Sequence, residues 1–291
     1  MKMNHKILIC TTFRDFTGGE NDRFQKLFLK SIREQSFTDY LLVVTLFGEK
    51  NVKKEVADII GDKVIFIDMP PQKYKFSLTD VVLNGIENVS VTNATILLWC
   101  TSDIVFEKNY LQTIVNNYSD SYAGITHPNY YVSDTADLSD AKLGTAIRGI
   151  DVLFFSTALL LNKNVISDIK DNKFIGWGVF ENFLASIGAN YAQKRINTVN
   201  VSNVYKCENE KKIDEVTSQN RDYEVNYNLF INYLKKNRFS LRYRLLMFCH
   251  FKYKNICKKK YALGLRDREG FSNLISCMVP DFINNKRKIY N

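Results

Sequence analysis

An aspartate, Asp103, follows a run of apolar residues that is typical of a buried strand. Residues 96–106 read Ile-Leu-Leu-Trp-Cys-Thr-Ser-Asp-Ile-Val-Phe. In α/β proteins the carboxyl ends of strands open onto the cleft in which nucleotides bind. Mg²⁺ and Mn²⁺ are held there by few carboxylates together with diphosphate oxygens. Asp103 is therefore a candidate metal ligand, although an aspartate after a strand is also a common turn or helix cap.

A second acid, Glu181, begins an apolar helical segment after two glycines that flank a tryptophan. Residues 174–184 read Phe-Ile-Gly-Trp-Gly-Val-Phe-Glu-Asn-Phe-Leu. Gly176 and Gly178 permit close backbone approach, Trp177 offers a flat surface for a sugar ring, and Glu181 can accept a proton. The structural alternative is a helix start with a dipole-favoured glutamate and a tryptophan in the core.

Two further polar residues, Asp80 and Asn84, are four apart and share one face of the helix predicted before the Asp103 strand. In that position they can contact a bound nucleotide. The alternative is that they are merely exposed helix residues.

The elements that must position these side chains follow the order of an α/β protein. Apolar runs rich in β-branched residues alternate with segments of helical period, which is typical of a mostly parallel sheet covered by helices. Up to Asp103 the predicted strands are 6–12, 40–46, 64–68 and 95–100, and the predicted helices are 23–35, 52–60 and 78–87. Later strands are predicted at 122–126 and 152–156, and later helices at 110–118, 180–187 and 222–236. The first 106 residues thus predict a nucleotide-binding architecture.

In this order the motifs resemble those of inverting GT-A glycosyltransferases, especially bacterial enzymes that build surface polysaccharides such as O-antigen, capsule or lipooligosaccharide. The resemblance covers about residues 6–200. It implies that residues 10–15 hold the nucleotide base, and the donor-binding residues are then Thr11, Thr12, Phe13, Arg14, Asp80, Asn84, Thr101, Ser102 and Asp103. Residues 83–86 correspond to the helix before the metal strand, and residues 101–103 to the D-x-D motif.

The second family motif is Trp-Gly-x-Glu-Asp, whose acids bind and deprotonate the acceptor hydroxyl. Residues 176–182 resemble it, with one additional residue before the acid and Asn182 in place of the terminal aspartate. The resemblance implies that Glu181 is the catalytic base. The acceptor side then includes His127, Trp177, Gly178 and Asn182, although a lone histidine is more often structural.

The reaction implied by this resemblance is the transfer of a sugar, with inversion, from a nucleotide-sugar donor to a hydroxyl of a glycan or lipid-linked glycan. A UDP-sugar is the favoured donor. Mn²⁺ or Mg²⁺ at Asp103 would stabilise the departing diphosphate, and Arg14, Lys73 or Lys75 would contact its phosphates. Thr101 replaces the first D-x-D acid, which weakens or removes the metal site. The alternative enzyme is a nucleotidyltransferase of related fold, for which Gly18-Gly19 is too short a phosphate loop.

The net charge of +9 is concentrated in the last part of the chain. Residues 235–291 contain 15 lysines and arginines against 3 acids, whereas residues 1–234 contain 25 against 28. We expect a GT-A catalytic domain at 1–234 and a mainly helical, aromatic-rich basic extension at 235–291. The extension is predicted to bind an anionic membrane surface and not nucleic acid. The alternatives are that its aromatic residues pack on the domain, or that the protein is a non-enzymatic membrane- or nucleic-acid-binding protein.

The length of 291 residues suits one α/β domain with a modest appendage. The six cysteines form no C-x-x-C pair, which favours a reducing compartment. The first apolar run, residues 7–10, is too short for a signal peptide, and no run of about 18 apolar residues occurs. A cytoplasmic protein, peripheral at the inner face of the cell membrane, is therefore expected.

Overall fold

The first hundred residues fold as the alternating series that the sequence predicts. The computed structural model describes residues 6–13, 15–70, 78–87, 93–117, 125–126, 131–133, 137, 142–143, 156–161, 163–174, 180–191, 197–198, 204–207, 213–239, 241 and 244. The first elements are β1 (Ile7–Thr12), α1 (Glu20–Arg33), β2 (Tyr40–Leu46), α2 (Val52–Ile60), a 3₁₀ turn (Gly61–Lys63), β3 (Val64–Asp68), α3 (Leu78–Glu87) and β4 (Ile96–Cys100).

The rest of the chain adds short strands and longer helices. These are β5 (Ile104–Phe106), α4 (Tyr110–Asn117), β6 (Ile125–Thr126), β7 (Tyr131–Ser133), β8 (Lys142–Leu143), β9 (Ser156–Leu160), α5 (Lys163–Asp171), α6 (Phe180–Tyr191), β10 (Asn197–Thr198), β11 (Val204–Cys207) and α7 (Ile213–Lys236). Among the described residues, no helix is both long enough and apolar enough to cross a membrane.

The strands form two sheets. The larger has the order β10-β6-β9-β4-β1-β2-β3, and β1 pairs in parallel with β2 on one side and β4 on the other. Strand β9 is antiparallel to β4, so Ser156 pairs with Cys100. The smaller sheet has the order β5-β11-β7-β8. Because β1, β2 and β4 are parallel, their carboxyl ends lie at one edge of the large sheet, and the turn that contains Asp103 follows there.

Two apolar clusters cover the two faces of the large sheet. One joins residues of β1 and β4 to α3, α5, α6 and α7, and the other joins alternate residues of the same strands to α1, α2 and α4. Helix α3 approaches β1 closely at Gly85, where an added β-carbon would overlap the Sγ atom of Cys10. The glycine of the segment 83–86 is thus explained by helix–sheet packing.

Several elements differ from the sequence prediction. Helix α7 begins at residue 213 and not at 222, because a helix propagates through polar residues once its apolar part is anchored. Strand β9 begins at Ser156, where the predicted strand 152–156 ends, and residues 152–155 lie outside the described residues. Helix α5 was not predicted. The strands of the small sheet were not predicted either, since strands of two to four residues carry almost no periodic signal.

Candidate active site

The turn after β4 holds two polar atoms that are buried without a partner. All five residues of β4 are buried, and Thr101, Ser102 and Asp103 follow in partly buried positions. The Oγ1 atom of Thr101 and the Oδ1 atom of Asp103 have no hydrogen-bond partner among the described residues. A buried carboxylate oxygen costs free energy unless a donor or a cation compensates it. The turn is therefore suited to a polar or cationic ligand.

Helix α1 holds this turn in place through a series of contacts along its length. The Ser102 hydroxyl donates to Oε1 of Gln25 at 3.5 Å, and the backbone N–H of Phe106 donates to Oγ of Ser31 at 3.2 Å. Farther along, the N–H of Leu111 donates to Oε1 of Gln35 at 2.9 Å. Residues 102–111 therefore run beside α1 from its first turns towards its end.

The end of β1, predicted to bind the nucleotide base, is largely occupied by internal contacts. The Thr12 hydroxyl donates to the carbonyl oxygen of Thr45 at 2.8 Å, and Thr11 is fully buried. Phe13 is 2% exposed, and its ring packs against Phe28 with centroids 5.9 Å apart. The structure thus places Phe13 in the core below the loop. Arg14 lies outside the described residues.

Asp15 is the last residue of the segment 10–15 that the resemblance assigned to the nucleotide base, and its observed contacts are internal. Its Oδ1 atom accepts hydrogen bonds from the backbone N–H groups of Lys50 at 2.8 Å and Asn51 at 3.0 Å, directly before α2. This carboxylate joins the loop after β1 to the loop after β2 and satisfies donors at a helix start. Its partners are backbone groups, which sequence patterns do not reveal.

Helix α3 contributes Asn84 to the same edge of the sheet. The Asn84 amide donates to Oγ1 of Thr45 at 3.3 Å, so Thr45 contacts both Thr12 and Asn84. Asp80, by contrast, is buried and its Oδ1 lies 3.5 Å from Nζ of Lys173. The structure therefore brings Asn84 beside the end of β1, and it places Asp80 beside the segment before the glycine–tryptophan motif.

The start of α6 lies against the strand that precedes Asp103. The Phe180 ring packs edge-on to the Trp99 ring with centroids 6.1 Å apart, and it also packs on Phe174 at 5.7 Å. Glu181 and Asn182 follow in the first turn of α6, and their side chains lie outside the described part of the chain. The predicted residues Trp177, Gly178, His127, Lys73 and Lys75 also lie outside it.

Comparisons with known proteins bear on the fold. No family model and no curated protein matches the sequence. A crystal structure of S. aureus TarS 1-349 is 11% identical, with a TM-score of 0.53 and a match that covers 92% of this chain and 78% of that chain. A complex of the same S. aureus TarS region with UDP is 10% identical, with a TM-score of 0.55 and coverage of 91% and 76%.

A candidate nucleotide-diphospho-sugar transferase from Desulfovibrio desulfuricans G20 is 10% identical, with coverage of 79% of this chain and 98% of that chain. Its TM-score of 0.41 is too low to support an argument. Because their sequence identity is low, the two TarS matches show a similar fold and nothing about activity. The chain has a GT-A fold. The α/β part of the fold class predicted from the sequence is thus confirmed, whereas most of the predicted helical extension, residues 240, 242–243 and 245–291, lies outside the described residues.

The metal-binding capacity of this GT-A edge is limited in the described residues. They contain no group of three or more histidine, cysteine, aspartate or glutamate side chains that could hold a metal ion. Burial raises the pKa of the Cys100 thiol, and Cys10 and Asp103 raise it further. Cys100 is therefore a neutral thiol and a poor metal ligand. Asp103 and Thr101 fit a cation only if other oxygens, such as those of a diphosphate, complete its shell.

Proposed function

We propose that this protein is a glycosyltransferase that moves a sugar from a nucleotide-sugar donor to a hydroxyl of a glycan or lipid-linked glycan, with inversion. A UDP-sugar is the favoured donor, and S. aureus TarS of similar fold was crystallised with UDP. The observation that carries the proposal is the unpartnered Oδ1 atom of Asp103 at the ligand-binding edge of a GT-A sheet. Surface-polysaccharide synthesis is the proposed context.

Donor binding is assigned to the edge formed by β1, β2 and β4. Asp103 and Thr101 would hold Mn²⁺ or Mg²⁺, which supplies positive charge to the departing diphosphate when it is bound. Asn84 and Thr12 both bond to Thr45, and these bonds would maintain the shape of the surface that contacts the nucleotide base, here called the base-side wall. Asp15 holds the two neighbouring loops together, so that the wall is in place before the donor arrives.

Acceptor activation is assigned to Glu181. In a direct displacement, the base takes the proton of the acceptor hydroxyl while that oxygen attacks the anomeric carbon. The contact between Phe180 and Trp99 supports this role, because it fixes the helix turn of Glu181 beside the strand that leads to Asp103. A one-step transfer would require both groups to face a single cleft.

The membrane face is the proposed place of action, through the basic residues 235–291. Leu241 is 63% exposed, whereas Phe239 is 1% exposed and packs in the core. Phe239 is therefore not available for a membrane contact, in contrast to the prediction that the aromatic-rich extension 235–291 binds the membrane surface. Support for the proposal is the charge of this segment, since each basic residue near an anionic leaflet contributes about 1 kcal/mol at most.

Nucleotide-sugar binding tests the proposed function. UDP-, GDP-, CMP- and dTDP-sugars are screened by thermal shift with and without Mn²⁺, using the wild-type chain and Asp103→Asn. A ligand at a hundred times its Kd stabilises the native state by about 2.7 kcal/mol, which raises Tm by roughly 4–5 °C for a chain of this size. We expect a UDP-sugar to raise Tm and Asp103→Asn to abolish the additional effect of Mn²⁺.

The proposal fails if none of these donors raises Tm and none is turned over. Stabilisation by a nucleoside triphosphate but by no nucleotide-sugar would favour the nucleotidyltransferase.

For the membrane part, sedimentation with vesicles is compared for the full chain and a chain that ends at Arg244, which retains Phe239. We expect binding of the full chain to require anionic lipid and to weaken with salt. Equal sedimentation of both chains would contradict this role of the extension.

A further inference from the structure

Asp22, a buried acid on α1, lies one helical turn before Gln25. Residues three apart on a helix share a face and are separated by about 4.5 Å along its axis. Gln25 accepts a hydrogen bond from Ser102, and the next residues of that segment contact α1 farther towards its end. Asp22 therefore lies on the face of α1 that contacts Ser102, one helical turn nearer the start of the helix.

The carboxylate of Asp22 is only half satisfied. Asp22 is 5% exposed, and its Oδ2 atom accepts a hydrogen bond from the backbone N–H of Gly18. Its Oδ1 atom is buried and has no hydrogen-bond partner among the described residues. The same holds for Oδ1 of Asp103 and Oγ1 of Thr101. Two carboxylate oxygens and one hydroxyl oxygen, on α1 and on the turn that contacts it, are thus unpartnered among the described residues, although buried oxygens normally have partners.

We infer that Asp22 supplies the second carboxylate of a divalent-cation site, together with Asp103 and Thr101. This inference rests on the proposed function. Mg²⁺ and Mn²⁺ prefer oxygen ligands, and Mg²⁺ is usually held by one or two carboxylates plus substrate phosphates. The segment 101–103 has an acid only at its third position. Asp22 compensates for the missing acid from a different element, at the place where the donor diphosphate would complete the shell.

The competing explanation for Asp22 is a purely structural helix cap. Asp22 is the third residue of α1, and its bond to Gly18 satisfies a backbone donor near the start of that helix. Asp22→Asn separates the two roles, because the amide oxygen can still accept from Gly18 whereas the negative charge is lost. A structural cap therefore predicts unchanged cation binding in this variant.

The test is direct measurement of Mn²⁺ binding by electron paramagnetic resonance of the free ion, with and without UDP. Wild type, Asp103→Asn, Asp22→Asn and the exposed control Asp58→Asn, on α2, are compared, and each variant is also melted without metal. We expect Asp22→Asn to weaken Mn²⁺ binding roughly tenfold or more, Asp103→Asn to do the same, and Asp58→Asn to match wild type.

Mn²⁺ affinity unchanged in Asp22→Asn, or no Mn²⁺ binding by wild type, would overturn the inference. If wild type binds a UDP-sugar but no Mn²⁺, the glycosyltransferase proposal stands and the cation site is wrong. If Mn²⁺ binding depends on both aspartates but no nucleotide-sugar binds, the cation site stands and the glycosyltransferase proposal fails. A large loss of Tm in metal-free Asp22→Asn, with Mn²⁺ affinity intact, identifies Asp22 as a cap.

Discussion

The hydroxyl oxygen of Thr79, at the start of α3, accepts a hydrogen bond from the backbone N–H of Phe174 at 2.8 Å. Thr79 is fully buried, and the two residues are 95 positions apart in the sequence. The Phe174 ring packs on Phe183 of α6 with centroids 4.5 Å apart. This contact joins the helix that carries Asn84 to the segment that leads to Glu181.

Replacement of Thr79 by valine is expected to destabilise the protein by about 1–3 kcal/mol, because the Phe174 N–H is left buried without an acceptor. Urea unfolding measures this loss. Thr79→Ser retains the acceptor and serves as the matched control. If the contact also positions the acceptor side, Thr79→Val will raise KM for the acceptor more than KM for the donor. Equal unfolding free energies for the two variants would show that the hydrogen bond contributes little.

Replacement of Gly85 by alanine is expected to push α3 away from β1. The new methyl group would overlap Sγ of Cys10 and lie 3.5 Å from a methyl carbon of Leu8. Overpacking of this kind costs about 1–3 kcal/mol. In the double variant Gly85→Ala/Cys10→Ala the sulfur is removed, so we expect part of the loss to be recovered in a double-mutant cycle. If the losses of the two single variants add in the double variant, the strain does not arise from the contact between residue 85 and the Cys10 sulfur.

Cys10 and Cys100 are expected to resist alkylation in the native protein. Burial raises the pKa of both thiols, and the thiolate is the reactive form. Both groups therefore stay protonated and unreactive from neutral pH up to pH 9, unless the protein unfolds. Iodoacetamide labelling followed by peptide mass spectrometry measures the modification of each cysteine, with a urea-unfolded sample as the control. Fast native labelling of Cys100 would contradict its burial.

Glu181→Gln is expected to lower the transfer rate by about 10²–10⁴-fold, since a positioned base contributes that much to proton transfer. Donor binding should be retained, because the base acts on the acceptor. The measurements are kcat with a saturating donor and the thermal shift with the donor alone. Glu34→Gln, at an exposed acid directly after α1, is the control and should leave both unchanged. If the donor no longer raises Tm in Glu181→Gln, Glu181 contributes to donor binding and is not the acceptor base.

Phe239 is expected to stabilise the domain although it follows the last turn of α7. Its N–H donates to the carbonyl oxygen of Leu234 at 3.0 Å, and Arg238 between them has a positive φ of 54°, as in a Schellman motif. Phe239→Ala should cost about 3–5 kcal/mol in denaturant unfolding, whereas Leu241→Ala should stay within roughly 0.5 kcal/mol. Equal effects would contradict the burial of Phe239.

The sequence by itself determined the alternating architecture up to Cys100 and the position of Asp103 at the end of a buried strand. This was possible because strands β1, β2 and β4 are apolar along their length and helices α1 and α2 show a clear helical period. Local sequence patterns therefore predict which residues of these elements are buried. The glycine in the segment 83–86 was also visible, although its reason, the contact with Cys10, was not.

The tertiary structure alone decided which distant residues meet. Asp22 received no site role from the sequence, because its significance depends on Gln25 lying against Ser102. Asp15 was predicted only as the last residue of the base-binding segment 10–15, and its bonds to the loop after β2 were not foreseen. The burial of Phe239 likewise depends on a backbone reversal at Arg238 that composition does not encode. Such contacts join residues far apart in sequence, and hydrophobic periodicity reports only the face that a residue shares with its near neighbours.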